Sequence, residues 1–270
     1  MRLSEGAEAI RGDLPPNATH AAEVPSEAGN DEGSGVHRLS SLRQVRDAQL
    51  AVLARNSGLA ITIGGDCGVD LASIQFASAR AAAANGSMAV VWIDAHADLN
   101  TPEDSPSGAF HGMVLRTLLG DGPESLVPGT PLDPRHVVLA GTRAIDDAEL
   151  AYIEQAGIPL IAPESLDAAS LTAALVATGA TSVYLHVALD VLDPAEFNSL
   201  GYPEPFGISL TTLLEVIAAA KAALPLAGAA ITEFAPASAE SAGDDLGSIL
   251  RVIGALASEP QTSHPPKGQQ

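Results

Sequence analysis

Apolar residues form short runs that alternate with amphipathic stretches from residue 59 onward. Runs of four to eight residues predict strands at 59–65, 89–95, 136–141, 158–161, 182–189 and 227–234. Apolar residues at helical spacing predict helices between them, at 69–84, 111–119, 146–156, 170–177, 210–223 and 245–257. Repeated strand–helix–strand units favour right-handed crossovers. We therefore predict an α/β fold, a three-layer αβα sandwich with a mainly parallel sheet.

The two ends of the chain carry weaker patterns. An amphipathic segment at 3–10 and a helix near 37–54 flank loops around Pro15-Pro16 and 27–35. The tail 259–270 is rich in proline and polar residues, and it lacks the apolar surface needed to fold. We expect one domain over 1–258, followed by a disordered tail.

Composition and charge narrow the class of protein. The net charge is −20 and the 270 residues include two lysines, so phosphate backbones and anionic membrane surfaces are repelled. Hydrophobic residues make up 46% and aromatic residues 3%, which suits an Ala/Val/Leu/Ile core around a parallel sheet. The single cysteine excludes an intrachain disulfide framework, and there is no signal-peptide pattern or apolar run of bilayer length. We expect a soluble cytoplasmic protein without a nucleic-acid or membrane partner.

The strongest chemical motif follows the predicted strand 89–95. Asp94, His96 and Asp98 form a D-x-H-x-D triplet, and alternation in an extended chain places all three side chains on one side. Open α/β sheets bind their ligands at the carboxyl ends of strands. Mixed oxygen and nitrogen donors suit Mn²⁺, Co²⁺, Fe²⁺ or Zn²⁺. The structural alternative is a core histidine between two helix-capping aspartates.

The triplet does not stand alone, because four further motifs follow the same family order. The segment 94–100 (DAHADLN) resembles the D-A-H-x-D-x-N signature of the arginase/agmatinase/formiminoglutamase superfamily, the ureohydrolases. The other matches are GGDC at 64–67, SGAFHG at 107–112, ALDVLDP at 188–194 and a late-strand glutamate, Glu233. The resemblance implies an arginase-like fold and a two-metal hydrolytic site. The superfamily usually opens with a strand before its first helix, so the resemblance implies either an N-terminal truncation or a missing edge strand in this chain.

The resemblance implies a metal-ligand set with one unusual member. The set comprises Cys67, Asp94, His96, Asp98 and Asp190, where Cys67 occupies the place of the family's GGDH histidine. Mn²⁺ is the ion expected from the family, but a thiolate is softer and shifts the preference towards Zn²⁺, Co²⁺ or Fe²⁺. In having a cysteine at this place, the chain resembles a subgroup of the superfamily that includes hydroxyarginine hydrolases. The alternative is a buried, inert thiol.

Ala188 is a graver departure from the family pattern. In the family's D-x-D-x-x-D-P motif the first aspartate bridges both metals, and alanine at 188 has no donor atom. The cluster then lacks a bridging charge that would hold two dications together. We expect metal binding to be partial or absent and the hydrolytic activity to be impaired, through either engineering or natural drift.

The remaining family positions imply roles in catalysis and substrate binding. By resemblance, a metal-activated water attacks the guanidinium or amidine carbon, with His111, Glu233 and Asp98 as catalytic residues. His111 would move protons to the leaving amine, and Glu233 would pair with the planar cation of the substrate. Asn100 and Ser107 are implied as substrate-binding residues. Ala109 replaces an asparagine that holds the amino-acid head group in arginases, so specificity for plain L-arginine does not carry over.

Two functional hypotheses follow from these matches. The first is an amidinohydrolase that cleaves C–N bonds of a guanidino compound, acting as a homo-oligomer. The second is a non-catalytic homologue that binds a small molecule or a protein partner. Metal content separates the two hypotheses.

Arg143 either steadies the carboxyl edge of the sheet or forms a plain surface ion pair. No role is assigned to the histidines without metal-like spacing: His20, His37, His136, His186 and His264.

Overall fold

A parallel sheet forms the centre of the protein in the computed structural model, which describes residues 2–259. Within these residues the sheet has six strands in the order β1-β6-β5-β2-β3-β4, and every neighbouring pair is parallel. Their bounds are Ile61–Ile63 (β1), Met88–Ile93 (β2), Val137–Ala140 (β3), Leu160–Ile161 (β4), Ser182–Ala188 (β5) and Leu226–Thr232 (β6). The predicted parallel α/β sheet is confirmed.

Helices cover both faces of the sheet. Their bounds are Leu3–Gly12 (α1), Leu39–Leu53 (α2), Asp70–Ala83 (α3), Val114–Leu118 (α4), Asp147–Ala156 (α5), Ala168–Thr178 (α6), Leu210–Ala223 (α7) and Ala239–Ala257 (α8). Apolar residues of α1, α6, α7 and α8 share one buried cluster, and those of α2 to α5 share the other. The structure therefore has the three layers that the strand–helix alternation predicts.

The side chains of β2 and β5 alternate between these two cores. In β2, Val91 and Ile93 enter the core of α6 to α8, whereas Val90 and Trp92 enter the core of α2 to α5. Because strand neighbours point to opposite faces, residues two apart on β5 also share a face. This alternation decides which side chains of β5 can reach the carboxyl edge beside α3.

The strand order changes direction between β2 and β5. The chain runs from β2 outward to β3 and β4, and later from β5 outward to β6 on the other side. Open α/β sheets bind ligands at such a switch point, beyond the carboxyl ends of the strands. The segments after β2 and β5 are those that carry Asp94 and Asp190.

Most element boundaries lie within two residues of the prediction, and two differ by more. Helix α8 begins at Ala239 instead of 245, because the Ser238 hydroxyl accepts a hydrogen bond from the Ser241 amide in a capping box. A 3-10 turn at Phe110–Met113 precedes α4, so the predicted helix 111–119 is only partly α-helical. Residues 260–270 of the predicted disordered tail lie outside the described residues. No helix between residues 2 and 259 is long and apolar enough to cross a membrane.

Candidate metal centre

Asp94 lies directly after β2 and is fully buried. Its amide donates to the Ala140 carbonyl at 3.2 Å, and its carbonyl accepts from the Thr142 hydroxyl at 3.0 Å. Its Oδ1 accepts from the His96 amide at 2.7 Å. These contacts hold the loop after β2 against the end of β3, and they aim the Asp94 carboxylate at the switch point.

Two further acidic residues have left-handed backbones. Asp98 has a φ of 52° and Glu233 a φ of 67°. Residues other than glycine adopt this region at a cost, and such strain concentrates at functional sites. The Asp98 carbonyl accepts from the Arg116 amide at 3.1 Å, and the Glu233 amide donates to Gly65 at 2.9 Å. The local fold thus holds two buried carboxylates in place against conformational strain.

The donors form two groups that overlap at Asp94. The inner cluster consists of Cys67, Asp94, Asp98 and His186, all buried, with one donor atom of each lying within 4.8 Å of the others. The outer cluster consists of Asp94, His96 and Asp190, under the same distance limit. Asp94 Oδ2 lies 3.4 Å from the Cys67 sulfur and 3.2 Å from His186 Nε2. Asp94 Oδ1 lies 3.5 Å from His96 Nδ1, whose distance to Asp190 Oδ2 is 3.2 Å.

Three buried carboxylate oxygens in and beside the clusters have no hydrogen-bond donor. Among residues 2–259, Asp98 Oδ2, Asp190 Oδ1 and Glu233 Oε2 are buried and accept no hydrogen bond. Such atoms are rare in folded proteins, and a buried charge is costly unless it is paired or coordinated. A divalent cation fits this donor set, since it would supply charge and coordination to several oxygens at once.

Proton affinities in the two clusters give the same indication. Burial, together with the neighbouring carboxylates, raises the pKa of the Cys67 thiol and of Asp98 well above their usual values. Burial and Asp94 raise the pKa of Asp190 to about 6, and burial and Asp190 raise that of Glu233 to about 8. Burial opposes the charge on His96, but its hydrogen bonds to Asp190 and Asp94 raise its pKa to about 12. The protein alone therefore retains protons here, which a metal ion could replace.

The structure brings the predicted ligands together at one sheet edge. The two clusters include all five predicted ligands: Cys67, Asp94, His96, Asp98 and Asp190. Glu233 is next to them, with Oε1 3.7 Å from the Cys67 sulfur. The five predicted ligands and Glu233 therefore form one continuous site.

The other predicted residues have contacts outside the clusters. His111 is half-buried in the turn before α4, and its ring stacks on Tyr202 at 5.5 Å between centroids. Asn100 is buried. Its side-chain Nδ2 donates to Asp146 Oδ2 at 3.0 Å, and its Oδ1 has no hydrogen-bond partner. Ser107 is exposed and its hydroxyl accepts from the Ala109 amide. The roles of His111, Asn100 and Ser107 stay predictions.

Sequence reasoning missed His186 and its partner Asp70. His186 lies in β5 with no motif around it, and it is fully buried beside Asp94. The available signal was the strand period, because 186, 188 and 190 alternate onto one face. In the structure this period holds for His186 and Ala188 on β5, whereas Asp190 lies beyond the strand in the turn Leu189–Val191.

Arg143 steadies the loop after β5, and no ion pair to it is found within residues 2–259. Its guanidinium donates to the backbone carbonyls of Gly141, Asp190, Val191, Glu204 and Pro205 at 2.8 to 3.3 Å. Three of these acceptors follow β3 and β5 directly, and the other two lie in the loop before α7. Of the two interpretations of Arg143, the structure favours the one in which it steadies the carboxyl edge.

Fold and site together define a three-layer α/β protein with a candidate metal centre at the carboxyl edge of its sheet. The family model described as the Arginase family matches residues 7–253. The chain belongs to the arginase family.

Curated relatives cover part of the chain. It is 35% identical over 158 residues to the arginase of Bacillus subtilis (strain 168), which is 55% of this chain and 52% of that protein. It is 34% identical over 206 residues to an arginase of Coccidioides immitis (strain RS), which is 71% of this chain and 64% of that protein. The chain thus spans less than two thirds of the length of these relatives.

Solved structures share the fold over most of the chain. The arginase of Entamoeba histolytica in complex with L-ornithine superposes with a TM-score of 0.84 and 26% identity, over 95% of this chain and 92% of that one. Proclavaminate amidino hydrolase from Streptomyces clavuligerus superposes with a TM-score of 0.61 and 22% identity, over 81% and 72%. At that identity the second likeness shows the fold alone.

Proposed function

We propose that this protein is a metal-dependent amidinohydrolase, a C–N hydrolase of linear amidines that acts on a guanidino or amidino compound. The observation that carries the proposal is the set of buried donors at the switch point, with unpaired carboxylate oxygens on Asp98, Asp190 and Glu233. Membership of the arginase family supports a hydrolase of this kind.

The metal would be held by the five predicted ligands: Cys67, Asp94, His96, Asp98 and Asp190. A divalent ion bound there lowers the pKa of a water and so supplies hydroxide near neutral pH. Mn²⁺ is the ion expected from the family, while the Cys67 thiolate favours Zn²⁺, Co²⁺ or Fe²⁺. With alanine at 188, no bridging carboxylate comes from that position, so we propose that this form holds less than two ions and is impaired.

Glu233 is the proposed anchor for the cationic end of the substrate. Its carboxylate is buried and Oε2 is unpaired, and a guanidinium can donate to both oxygens of a carboxylate. Burial and Asp190 raise its pKa to about 8, so a cationic substrate would complete its ionisation at neutral pH. The reacting carbon would then lie next to the donor clusters.

Proton transfer and head-group binding are assigned to residues around the cleft. We propose that hydroxide adds to the substrate carbon, the C–N bond breaks, and His111 protonates the leaving amine. Asp98 accepts a hydrogen bond from the nucleophilic water and orients it. Asn100 and Ser107 bind the other end of the substrate. The L-ornithine in the Entamoeba histolytica arginase supports an amino-acid-like substrate, whereas Ala109 argues against plain L-arginine.

The decisive experiment is a metal and substrate screen. Metal-free protein is loaded with Mn²⁺, Co²⁺, Fe²⁺ or Zn²⁺ and tested on arginine, hydroxyarginine, agmatine and guanidinobutyrate, with urea or ammonia as the readout. Glu233→Gln should keep the metal content and lower kcat/KM about 100-fold, because a charged contact to the substrate is lost. A loaded protein inactive on the whole panel would favour the non-catalytic alternative.

The assembly and location are proposed with the function. We propose a cytoplasmic homo-oligomer without nucleic-acid or membrane partners. Light scattering after size-exclusion chromatography measures the oligomeric state directly, and a mass of one chain would reject that part of the proposal.

A further inference from the structure

We propose that His186 is a metal ligand that completes a four-donor site for one divalent ion with Cys67, Asp94 and Asp98, and that Asp70 positions its ring. The inference concerns the metal of the proposed hydrolase, but it stands on the contacts of His186 and not on the reaction. It identifies the inner cluster as the principal metal site of this chain.

The donor distances suit a four-coordinate ion. Ligand bonds of about 2.0–2.3 Å in tetrahedral zinc sites place neighbouring donor atoms roughly 3.3–3.8 Å apart. In the inner cluster, Asp94 Oδ2 is 3.2 Å from His186 Nε2 and 3.4 Å from the Cys67 sulfur. One donor atom of each of the four residues lies within 4.8 Å of the others. Small side-chain shifts would therefore enclose an ion.

Asp70 sets the orientation of the His186 ring. His186 Nδ1 lies 2.6 Å from Asp70 Oδ2, and Asp70 Oδ1 accepts from the Tyr184 hydroxyl at 2.6 Å. A carboxylate at Nδ1 keeps the proton on that nitrogen and leaves Nε2 free to ligate. Nε2 is the atom that faces Asp94. This carboxylate–histidine arrangement is the usual support for a metal-bound imidazole.

Packing removes the remaining freedom of the ring. The Trp92 indole stacks on His186 at 3.5 Å between centroids with 10° between the planes. The two residues are register partners on β2 and β5, and both are fully buried. A preorganised ring loses little entropy on ligation. The position of Nε2 is thus built into the sheet.

His186 also offsets the missing carboxylate at 188. Both residues lie on the same face of β5, and Ala188 is buried with no donor atom. The imidazole extends from two residues earlier on the strand and brings the inner cluster to four donors, whereas the outer cluster has three. One sulfur, one nitrogen and two oxygen donors favour Zn²⁺ or Co²⁺ over Mn²⁺.

Cobalt spectroscopy tests the inference without any enzymatic assay. Titration of the metal-free protein with Co²⁺ should show one tight equivalent with intense four-coordinate bands and a sulfur-to-cobalt charge-transfer band. His186→Ala should weaken this ion at least about 100-fold and change the bands, and Asp70→Asn should weaken it about 10–100-fold. The exposed His20→Ala should leave the tight ion and its spectrum unchanged.

The outcomes separate the inference from the proposed function. A folded His186→Ala protein with unchanged Co²⁺ affinity and spectrum would overturn the inference, whatever the hydrolase assay gives. If that variant does not fold, histidine ¹⁵N NMR of the Zn²⁺-loaded original protein decides. A metal-type shift at His186 Nε2 supports ligation, and an imidazolium donating to Asp70 and Asp94 rejects it. Tight ligation without hydrolysis would instead count against the proposed function alone.

Discussion

The inner and outer clusters share Asp94 and differ in almost everything else. The four donors of the inner cluster are all buried, whereas the outer cluster has three donors and the His96 side chain is 31% exposed. A closed site with four donors resembles structural metal sites, and an open site with three resembles catalytic ones. We therefore propose that the inner cluster provides affinity for the metal and that the outer cluster provides access for water and substrate.

The supports of the two clusters differ in the same way. Around the inner cluster, Asp70, Tyr184 and Trp92 form a buried shell on three secondary-structure elements. Asp190 of the outer cluster lies in a turn after β5, and Arg143 binds the carbonyl of that residue. Sites on strands and helices are held more rigidly than sites on loops. We therefore expect the outer cluster to respond more to substitutions at a distance.

Asp94→Asn should have the largest effect, because it removes the ligand that the clusters share. The substitution removes the negative charge of Asp94 and exchanges one of its two oxygens for an NH2 group that cannot ligate, so plasma emission spectrometry should find no ion bound after gel filtration. The half-buried Asp133, which lies outside both clusters, gives the matched control: Asp133→Asn should keep the metal content of the original protein. One retained ion per chain would show that Asp94 is not the shared ligand.

Ala188→Asp should have the next largest effect and sharpen the contrast between the clusters. Ala188 is buried at the end of β5, between His186 on the strand and Asp190 in the following turn, so a carboxylate there would lie near both donor groups. We expect a second bound ion and a large rise in hydrolysis of a guanidino substrate. Without metal, the added buried charge should lower the melting temperature, and excess metal should reverse that loss.

Ala188→Asn separates charge from shape in this test. It matches the size of aspartate but carries no charge, so it should hold the second ion far more weakly. Equal stoichiometry in both variants would contradict the role of the bridging charge. Two bound ions without any gain in hydrolysis would shift attention to the substrate panel.

The sequence predicts the outer cluster more completely than the inner one. The ligands that follow β2, together with Cys67 and Asp190, belong to recognisable motifs at strand ends. Local pattern therefore locates the whole outer cluster and all of the inner cluster except His186. The parallel sheet also follows from local patterns, since short apolar runs and amphipathic stretches alternate regularly.

His186 could not be located in the same way. It meets Asp70 across 116 residues of sequence, and neither residue stands in a motif that reports the other. Their contact depends on the register that puts His186 opposite Trp92 and on the placement of α3 against that face. Local pattern predicts elements, but register and layer packing decide which buried polar side chains meet.

Arg143→Ala should have the smallest effect of the three and act on the outer cluster alone. The guanidinium donates to five backbone carbonyls, two of which belong to Asp190 and Val191 in the turn that carries the outer ligand. We expect the free energy of unfolding to fall by about 1–3 kcal/mol, because four part-buried carbonyl contacts lose a charged donor. When Arg143→Ala is combined with Ala188→Asp, in which the second ion can be counted, metal occupancy of the outer cluster should fall several-fold. The Co²⁺ spectrum of the inner cluster should stay unchanged.

Arg143→Lys should restore only part of the lost stability and occupancy, since an ammonium cannot reproduce the planar fork of donors. The exposed Arg135→Ala serves as the control, with a change in stability below about 1 kcal/mol. A loss of inner-cluster affinity equal to the outer loss would mean that the two clusters are one cooperative unit, and the division of roles between them would have to be abandoned.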